Sequence, residues 1–305
     1  MIGVAASLNL LLCGKITGVS GLVRSLVHDH NSWASVVIAG MLLAALVSNS
    51  IVSEPVSLSH SLLAGILVGV GTQMGNGCTS GHGVCGLPRF SARSLVAVCT
   101  FMTTGILTTM ISLPEFPQLD AWLGRVPGIS QNYLKGLIIF FILFALSNEY
   151  VLKRCHEDAI NLIIGFGTGF LFACGLVISG MNNPTKVLGF LRLPRGLTSW
   201  DPALVFVLGG AITVNLISFP LILKRSNPIF NAKFGLPTRK DIDFRLVAGA
   251  AIFGIGWGIG GVCPGPGLVG LAQQHNYFSV WIIGFLSGLQ LYYSFLAPEI
   301  KLKKH

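Results

Sequence analysis

The chain has 305 residues, of which 52% are hydrophobic and only 10% are charged, whereas soluble domains are about 25% charged. A soluble protein of this size needs a charged exterior, which 20 basic and 11 acidic residues do not supply, so lipid is the expected solvent for most of the surface. The net charge of +9 does not indicate nucleic-acid binding, because the basic residues lie in short connections between apolar segments, where anionic lipid headgroups attract them.

Apolar segments long enough to cross the hydrocarbon core, which takes about 20 residues, follow one another along the chain. Six are uncharged, and a seventh, at 133–152, carries charges only near its ends; the six are 33–53, 94–114, 159–185, 202–223, 246–274 and 276–298. Two shorter apolar segments, 1–13 and 60–74, are each a complete span or half of one, and counting both gives nine predicted membrane elements. The first segment has no basic leader and no clear cleavage site, so we interpret it as a membrane element and not as a signal peptide.

This order of elements predicts three regions. Residues 1–132 are a first membrane repeat, residues 133–154 a linking transmembrane helix, and residues 155–305 a second membrane repeat. The longest hydrophilic stretch, 224–245, contains two prolines and six basic residues, and we interpret it as an exposed linker.

An internal repeat appears in two glycine-rich segments. The sequence GTQMGNGC at 71–78 aligns with GWGIGGVC at 256–263, with two glycines and the cysteine in register, and a weaker similarity relates 14–21 to 180–186. Four elements in each repeat plus one linking helix place five elements between a residue and its counterpart. The second repeat is therefore predicted to be inverted in the membrane, a plan that recurs in transporters.

The repeated segments are the candidate site. Residues 71–86 and 254–270 contain too many glycines and prolines for a continuous helix. Irregular backbone at membrane depth is tolerated only where protein covers it or where it lines water. Loops of this kind expose N–H groups that can bind an anion. The alternative interpretation is that the glycines only permit close helix packing.

Cys78 and Cys263 occupy equivalent positions in the two segments and are the principal candidates. A thiol is a weak donor and a polarizable acceptor, so it suits a sulphur-bearing anion better than chloride or phosphate. For each cysteine the alternative is a small buried hydrophobic residue. Seven cysteines are an odd number, and several lie in apolar segments, so a secreted disulfide framework is not expected.

Further candidates surround this pair. Cys85 either assists or forms a disulfide with Cys78, and Cys13 ends the first apolar segment, where simple packing is the alternative. His82 could donate to an anion, with loop scaffolding as the alternative. The remaining candidate residues are Gly77, Gly81, Lys15 and Lys186, of which the two lysines could attract anions or lie at the membrane interface.

Motifs for metal, cofactor or nucleotide binding do not occur in the sequence. It contains no Cys-x-x-Cys pair, no His-Glu-x-x-His motif and no phosphate-binding loop with its lysine. We therefore predict no cofactor, no metal and no enzymatic activity. Any driving force for transport would come from a gradient or from consumption of the anion.

The sequences GNGCTSGHGVCGL at 75–87 and GWGIGGVCPGP at 256–266 resemble the YeeE/YedE sulfur-transport family, whose thiosulfate-uptake members use both kinds of loop. Segments 180–190 and 200–202 resemble the second unit of half-size members that work as pairs, as though two were fused. The resemblance implies an hourglass of about nine transmembrane helices plus short re-entrant helices. It also implies that thiosulfate passes between Cys78 and Cys263 by S–H hydrogen bonds to sulphur. The third pathway cysteine of such members corresponds only loosely to Cys13.

Three functions are consistent with these observations. The first is a multi-pass transporter in the cell (inner or plasma) membrane for thiosulfate, sulfide, persulfide or a selenium species. The second is a membrane sulfurtransferase that forms a cysteine persulfide, with His82 as the nearby base and a soluble sulfurtransferase as partner. The third is a nonselective channel for small solutes.

Overall fold

The computed structural model describes residues 1–48, 57–112, 157–192, 200–273 and 276–296. The predicted linking helix at 133–152 and Cys155 lie outside the described residues. Within these ranges the fold is all-helical, with eleven α-helices. They are α1 Ile2–Cys13, α2 Val19–Asp29, α3 Ser32–Leu46, α4 Leu58–Met74, α5 Ala92–Ser112, α6 Glu157–Ile178, α7 Pro184–Leu191, α8 Ala203–Ile222, α9 Phe244–Gly260, α10 Pro264–Ala272 and α11 Asn276–Leu291. A π-helix, Thr79–Gly86, and a 3-10 helix, Leu87–Arg89, lie between α4 and α5, and a second π-helix, Tyr292–Leu296, follows α11.

Five helical segments of the described ranges are long and apolar enough to cross a membrane. They are Ala92–Ser112, Ala159–Ile178, Ala203–Ile222, Phe244–Ala272 and Asn276–Leu296. Helices α1, α3 and α4 are apolar but shorter. Each of these eight corresponds to an apolar segment predicted from the sequence, which confirms the prediction of an all-α protein with multiple candidate membrane helices.

Two of the predicted apolar segments divide at glycines. Segment 246–274 becomes α9 and α10, with Gly261 between them at φ 66°, and segment 159–185 ends as α6, with Gly180 at φ 68° before α7. Glycine enters this left-handed region without the steric cost that a Cβ brings, so it ends helices readily. The glycine-rich segments are therefore mostly helical, and their irregular backbone is confined to short turns.

Helix α2 lies in a stretch that the sequence analysis treats as a connection. Its apolar side chains Val19, Leu22 and Val23 are buried, while Arg24 lies on another side of the helix and lines a cavity. An amphipathic helix of 11 residues is too short and too polar to resemble a membrane span. Hydropathy alone therefore does not identify it.

Glycines allow the closest helix contacts. A Cβ on Gly65 or Gly69 of α4 would meet main-chain atoms of α11, and a Cβ on Gly284 or Gly288 of α11 would meet main-chain atoms of α4. Each helix thus presents two glycines four residues apart, the small-xxx-small pattern of close membrane helix pairs. For these helical glycines, close packing of the two helices is enough to explain why glycine is present.

Further contacts join the other apolar helices. Helix α9 packs against both α4 and α5, α3 packs against α6, and α1 packs against α6 and α8. Aromatic side chains fill the centre of α9, where Phe253 and Trp257 are fully buried and Phe101 of α5 meets both rings edge-on. The turns after α4 and α9 are therefore held in place by tightly packed helices.

Candidate functional site

Cys78 and Cys263 each lie immediately before a short helix. Cys78 precedes the π-helix and Cys263 precedes α10, both with extended backbone. Two residues earlier in each turn the backbone is left-handed, at Asn76 with φ 57° and at Gly261 with φ 66°. Both thiols therefore occupy the same position relative to a helix N-terminus.

The two cysteines line one cavity of about 50 Å³, which we call the thiol cavity. Thr79 Oγ1 donates to Cys263 Sγ at 3.4 Å, so a hydroxyl from the first half of the chain contacts the thiol of the second. Cys78 Sγ lies 3.2 Å from Ser80 Oγ. Most of the other lining is apolar and includes Phe172, Leu176, Met181, Val187, Leu204 and Leu208. The thiols thus face a small, mainly apolar space with two hydroxyls beside them.

A larger cavity of about 380 Å³, which we call the basic vestibule, lies next to the thiol cavity. Four of the predicted site residues line it, namely Lys15, Gly77, Gly81 and His82. Four arginines outside the predicted set also line it: Arg24, Arg89, Arg93 and Arg239. Arg89 and Arg93 lie four residues apart, shortly after the cysteine-containing motif. This spacing, which places two side chains on one face of a helix, is the feature of the sequence that points to them.

The N-terminal end of α2 and the π-helix Thr79–Gly86 separate the basic vestibule from the thiol cavity. Gly18 and Gly81 line the vestibule, whereas their neighbours Val19 and Ser80 line the thiol cavity. The Val19 N–H donates to Ser80 Oγ at 3.1 Å and joins the two helices. We call this contact the seam. The two cavities are therefore adjacent, one layer of backbone apart.

His82 connects the turn after α4 to the start of α5. Its Nε2 lies 3.2 Å from the Gly75 carbonyl oxygen and its Nδ1 lies 3.1 Å from Ser94 Oγ. A carbonyl oxygen only accepts, so Nε2 donates, and in the neutral ring the Ser94 hydroxyl donates to Nδ1. A Cβ on Gly77 would lie 2.6 Å from Nε2, so the ring also requires a glycine there. These contacts favour the scaffolding interpretation of His82.

The other predicted thiols have separate surroundings. Cys85 is fully buried, and its Sγ donates to the Thr17 carbonyl oxygen at 3.8 Å. Cys13 packs with Ile160 and Ile164 in a small apolar cluster and lines neither cavity. The six cysteines of the described ranges are free thiols, so no disulfide joins Cys78 to Cys85 there.

The two predicted lysines lie in different places. Lys15 is in the basic vestibule, with its Nζ 4.3 Å from the centre of the Trp33 ring. The side chain of Lys186 extends along Gly180, where an added Cβ would lie 3.1 Å from Lys186 Cε. Lys186 lines neither the vestibule nor the thiol cavity. Among the described residues no cluster of His, Cys, Asp or Glu could hold a metal ion.

An ion-pair cluster forms part of the vestibule rim. Arg93 Nη1 donates to the Asp241 carbonyl oxygen and lies 3.4 Å from Asp243 Oδ1. Arg239 pairs with Asp241 and with Asp243 at 2.8 Å each. The hydrogen bond from Arg239 holds the pKa of the exposed Asp241 carboxyl below its ordinary range. The cluster thus holds the Arg93 guanidinium through its Nη1.

The linker that carries this cluster is packed against the end of α1. Gly235 N donates to the Gly14 carbonyl oxygen at 2.8 Å, and Ile229 N donates to the Leu11 carbonyl oxygen at 3.0 Å. Asn231 Nδ2 donates to the Cys13 carbonyl oxygen at 2.8 Å. Although many of its side chains are exposed, the backbone of this predicted linker therefore forms part of the vestibule wall.

Comparison with known protein families divides the chain into two parts. Residues 4–108 match a family described as sulphur transport. Residues 160–303 match DUF6691, a family of unknown function.

Individual relatives show the same division. A probable transporter of Xylella fastidiosa strain Temecula1 is 36% identical over 132 residues, which are 43% of this chain and 88% of the relative. A second probable transporter of that strain is 37% identical over 115 residues, which are 35% of this chain and 85% of the relative. The two kinds of relative correspond to separate halves of this chain. No solved structure matches it.

Proposed function

We propose that this protein, which belongs to the sulphur transport family through its N-terminal half and continues into a DUF6691 segment, transports thiosulfate or a related small sulphur-containing anion across the cell membrane. One observation carries the proposal. Cys78 and Cys263 come from different halves of the chain and line the same cavity. Each also follows the same turn and precedes a short helix.

The chemistry of the thiol cavity suits such an anion. Sulphur is polarizable, so a thiol can hydrogen-bond weakly to a terminal sulphur atom and release it again. The Thr79 and Ser80 hydroxyls, which contact the two thiols, can donate to oxygen atoms. Among the first three residues of α10 only Gly265 has a backbone N–H, because the other two are prolines, so the second loop offers few fixed donors. Because these contacts are weak and few, the anion is not bound tightly in the thiol cavity and can move on.

An inverted pair of repeats accounts for the packing of the helices. In the proposed correspondence α1, α3, α4 and α5 match α6, α8, α9 and α11. Under that correspondence the α4–α11 contact matches the α9–α5 contact, and the α3–α6 contact matches the α8–α1 contact. With the predicted helix at 133–152 the eight apolar segments become nine, in the hourglass that the family resemblance implies. The regions 1–132, 133–154 and 155–305 follow from this arrangement.

Transport by purified protein in liposomes tests the proposal. We expect uptake of labelled thiosulfate to fall by about tenfold or more in Cys78→Ala and in Cys263→Ala, since each loses one hydrogen bond to a charged substrate. Cys174→Ala is the matched control, because Cys174 is as buried as Cys78 but lines neither cavity. Uptake by both cavity variants at the rate of Cys174→Ala would refute the thiol role.

The same preparation separates the two alternative functions. A sulfurtransferase would gain the mass of one sulphur atom on a cysteine after exposure to thiosulfate, which a transporter that only hydrogen-bonds the anion does not. A nonselective channel would pass chloride or glycerol at rates that the cysteine substitutions do not change.

A further inference from the structure

The basic vestibule contains more positive charge than its carboxylates neutralise. Five lysine or arginine side chains line it, and no Asp or Glu is among the described residues of the lining. The neighbouring carboxylates Asp241 and Asp243 pair with Arg93 and Arg239. Arg24 and Arg89 have no carboxylate partner in the part of the chain that the structure describes. The vestibule therefore carries a net positive charge.

Two arginines of the vestibule also have donors without an acceptor. Arg93 is 5% exposed, and its Nη2 has no hydrogen-bond partner within the described ranges, although its Nη1 is bonded. Arg24 on α2 is half-buried, but its Nε is also buried and has no hydrogen-bond partner within the described ranges. A buried guanidinium N–H without an acceptor is costly, so it indicates a place where a ligand supplies one.

The position of Arg93 is fixed independently of any ligand. Its Nη1 is held by Asp241 and Asp243 on the linker, so the guanidinium is oriented before an anion arrives. Arg89 is anchored in the same way by its Nε, which donates to the Cys85 carbonyl oxygen at 3.1 Å. Donors held in this way lose little freedom on binding, which increases affinity and selectivity.

We propose that the basic vestibule is a docking site for the oxygen end of a divalent sulphur oxyanion, held by Arg24, Arg89 and Arg93 before the anion crosses the seam to the thiol cavity. The identity of the anion rests on the proposed function. Guanidinium groups match the planar pairs of oxygen atoms that a sulphonate group presents, whereas thiols match a terminal sulphur. Charge and oxygen are therefore recognised in the vestibule, and sulphur is recognised beyond the seam.

This division has a consequence for selectivity. Sulfate has the same charge and the same kind of oxygen atoms as thiosulfate but no terminal sulphur. It should therefore bind in the vestibule with similar affinity and compete with thiosulfate, yet not be carried through the thiol cavity.

Equilibrium binding to the full-length protein in nanodiscs of neutral phosphatidylcholine tests the proposal. Trp33 lines the vestibule beside Lys15, so its fluorescence reports binding there. We expect saturable changes with both thiosulfate and sulfate and their loss in Trp33→Phe, with calorimetry as the second measurement of affinity. The double variant Cys78→Ala, Cys263→Ala should bind both anions like the parent although its thiosulfate uptake is lost.

Arginine variants supply the decisive comparison. Arg24→Gln should weaken binding by about tenfold or more, whereas Arg225→Gln, which removes the same charge from an exposed site outside the vestibule, should not. If Arg24→Gln does not fold, Arg89→Gln replaces it. Equal affinities in the vestibule variant and in Arg225→Gln would overturn the docking site.

The remaining outcomes also decide between explanations. If phosphatidylglycerol in the nanodisc abolishes anion binding, the vestibule holds lipid headgroups and the proposal is wrong. Binding that depends on Arg24, combined with uptake that does not depend on either cysteine, would overturn the thiol role and leave the docking site. Uptake that depends on the cysteines, combined with binding that does not depend on Arg24 or Arg89, would overturn the docking site and leave the thiol role.

Discussion

Replacement of Gly69 by alanine tests the close contact between α4 and α11. An added Cβ would lie 2.9 Å from Leu289 N and 3.0 Å from Gly288 Cα, and it would also meet the Phe285 carbonyl oxygen. All three are main-chain atoms, which cannot rotate away, so the helices must separate. Overpacking of this kind costs about 1–3 kcal/mol, while a change from glycine to alanine inside a helix contributes up to about 1 kcal/mol in the opposite direction.

Gly209→Ala is the matched control for this experiment. Gly209 lies inside α8 and no atom lies within 4 Å of an added Cβ, so the substitution brings the helix-propensity gain without the clash. The difference in unfolding free energy between the two variants should be about 1–3 kcal/mol in favour of Gly209→Ala. Unfolding in mixed micelles with increasing dodecyl sulfate, followed by circular dichroism, measures it. If Gly69→Ala is as stable as the control, α4 and α11 do not pack as described.

Three further substitutions test other contacts. Asn215→Leu removes the donor that lies 2.7 Å from the Val84 carbonyl oxygen, so the same unfolding assay should show a loss of about 0.5–2 kcal/mol. Gly81→Ala and Gly83→Ala both have free space for a Cβ, so both should fold; only Gly81 lines the vestibule, and only its variant should slow thiosulfate uptake. His82→Ala leaves the Gly75 carbonyl oxygen without its donor, so stability should fall by about 1–3 kcal/mol, while anion affinity measured with Trp33 stays within a factor of about two, the change expected for a residue that does not bind the anion.

The membrane helices could be predicted from the sequence because their signal is local. Each span is an uninterrupted apolar segment, and its composition alone indicates that it lies in lipid. The similarity between 71–78 and 256–263 also predicts equivalent positions for Cys78 and Cys263, and both line the thiol cavity. The short helices α2 and α7 cannot be predicted as spans, because a helix of 11 or 8 residues has too little periodicity and too few apolar residues.

The arginines of the vestibule could not be predicted in the same way. Arg24, Arg89 and Arg239 belong to three separate parts of the chain, and each one alone is typical of a residue at a membrane surface. Only tertiary packing brings them to one cavity. The predicted linker is a similar case. Its polarity indicates exposure, whereas the hydrogen bonds from Gly235 to Gly14 and from Asn231 to Cys13 join residues more than 200 positions apart in the chain.

Alkylation of the cysteines in the presence and absence of thiosulfate tests the central claim most directly. A small thiol reagent is added to the protein in liposomes, and mass spectrometry follows the modification of each cysteine separately. We predict that thiosulfate slows the modification of Cys78 and of Cys263 over the same concentration range, while Cys99, which is exposed on α5 outside both cavities, is unaffected. Protection of only one of the two cavity cysteines, or of neither, would contradict a shared path through the thiol cavity.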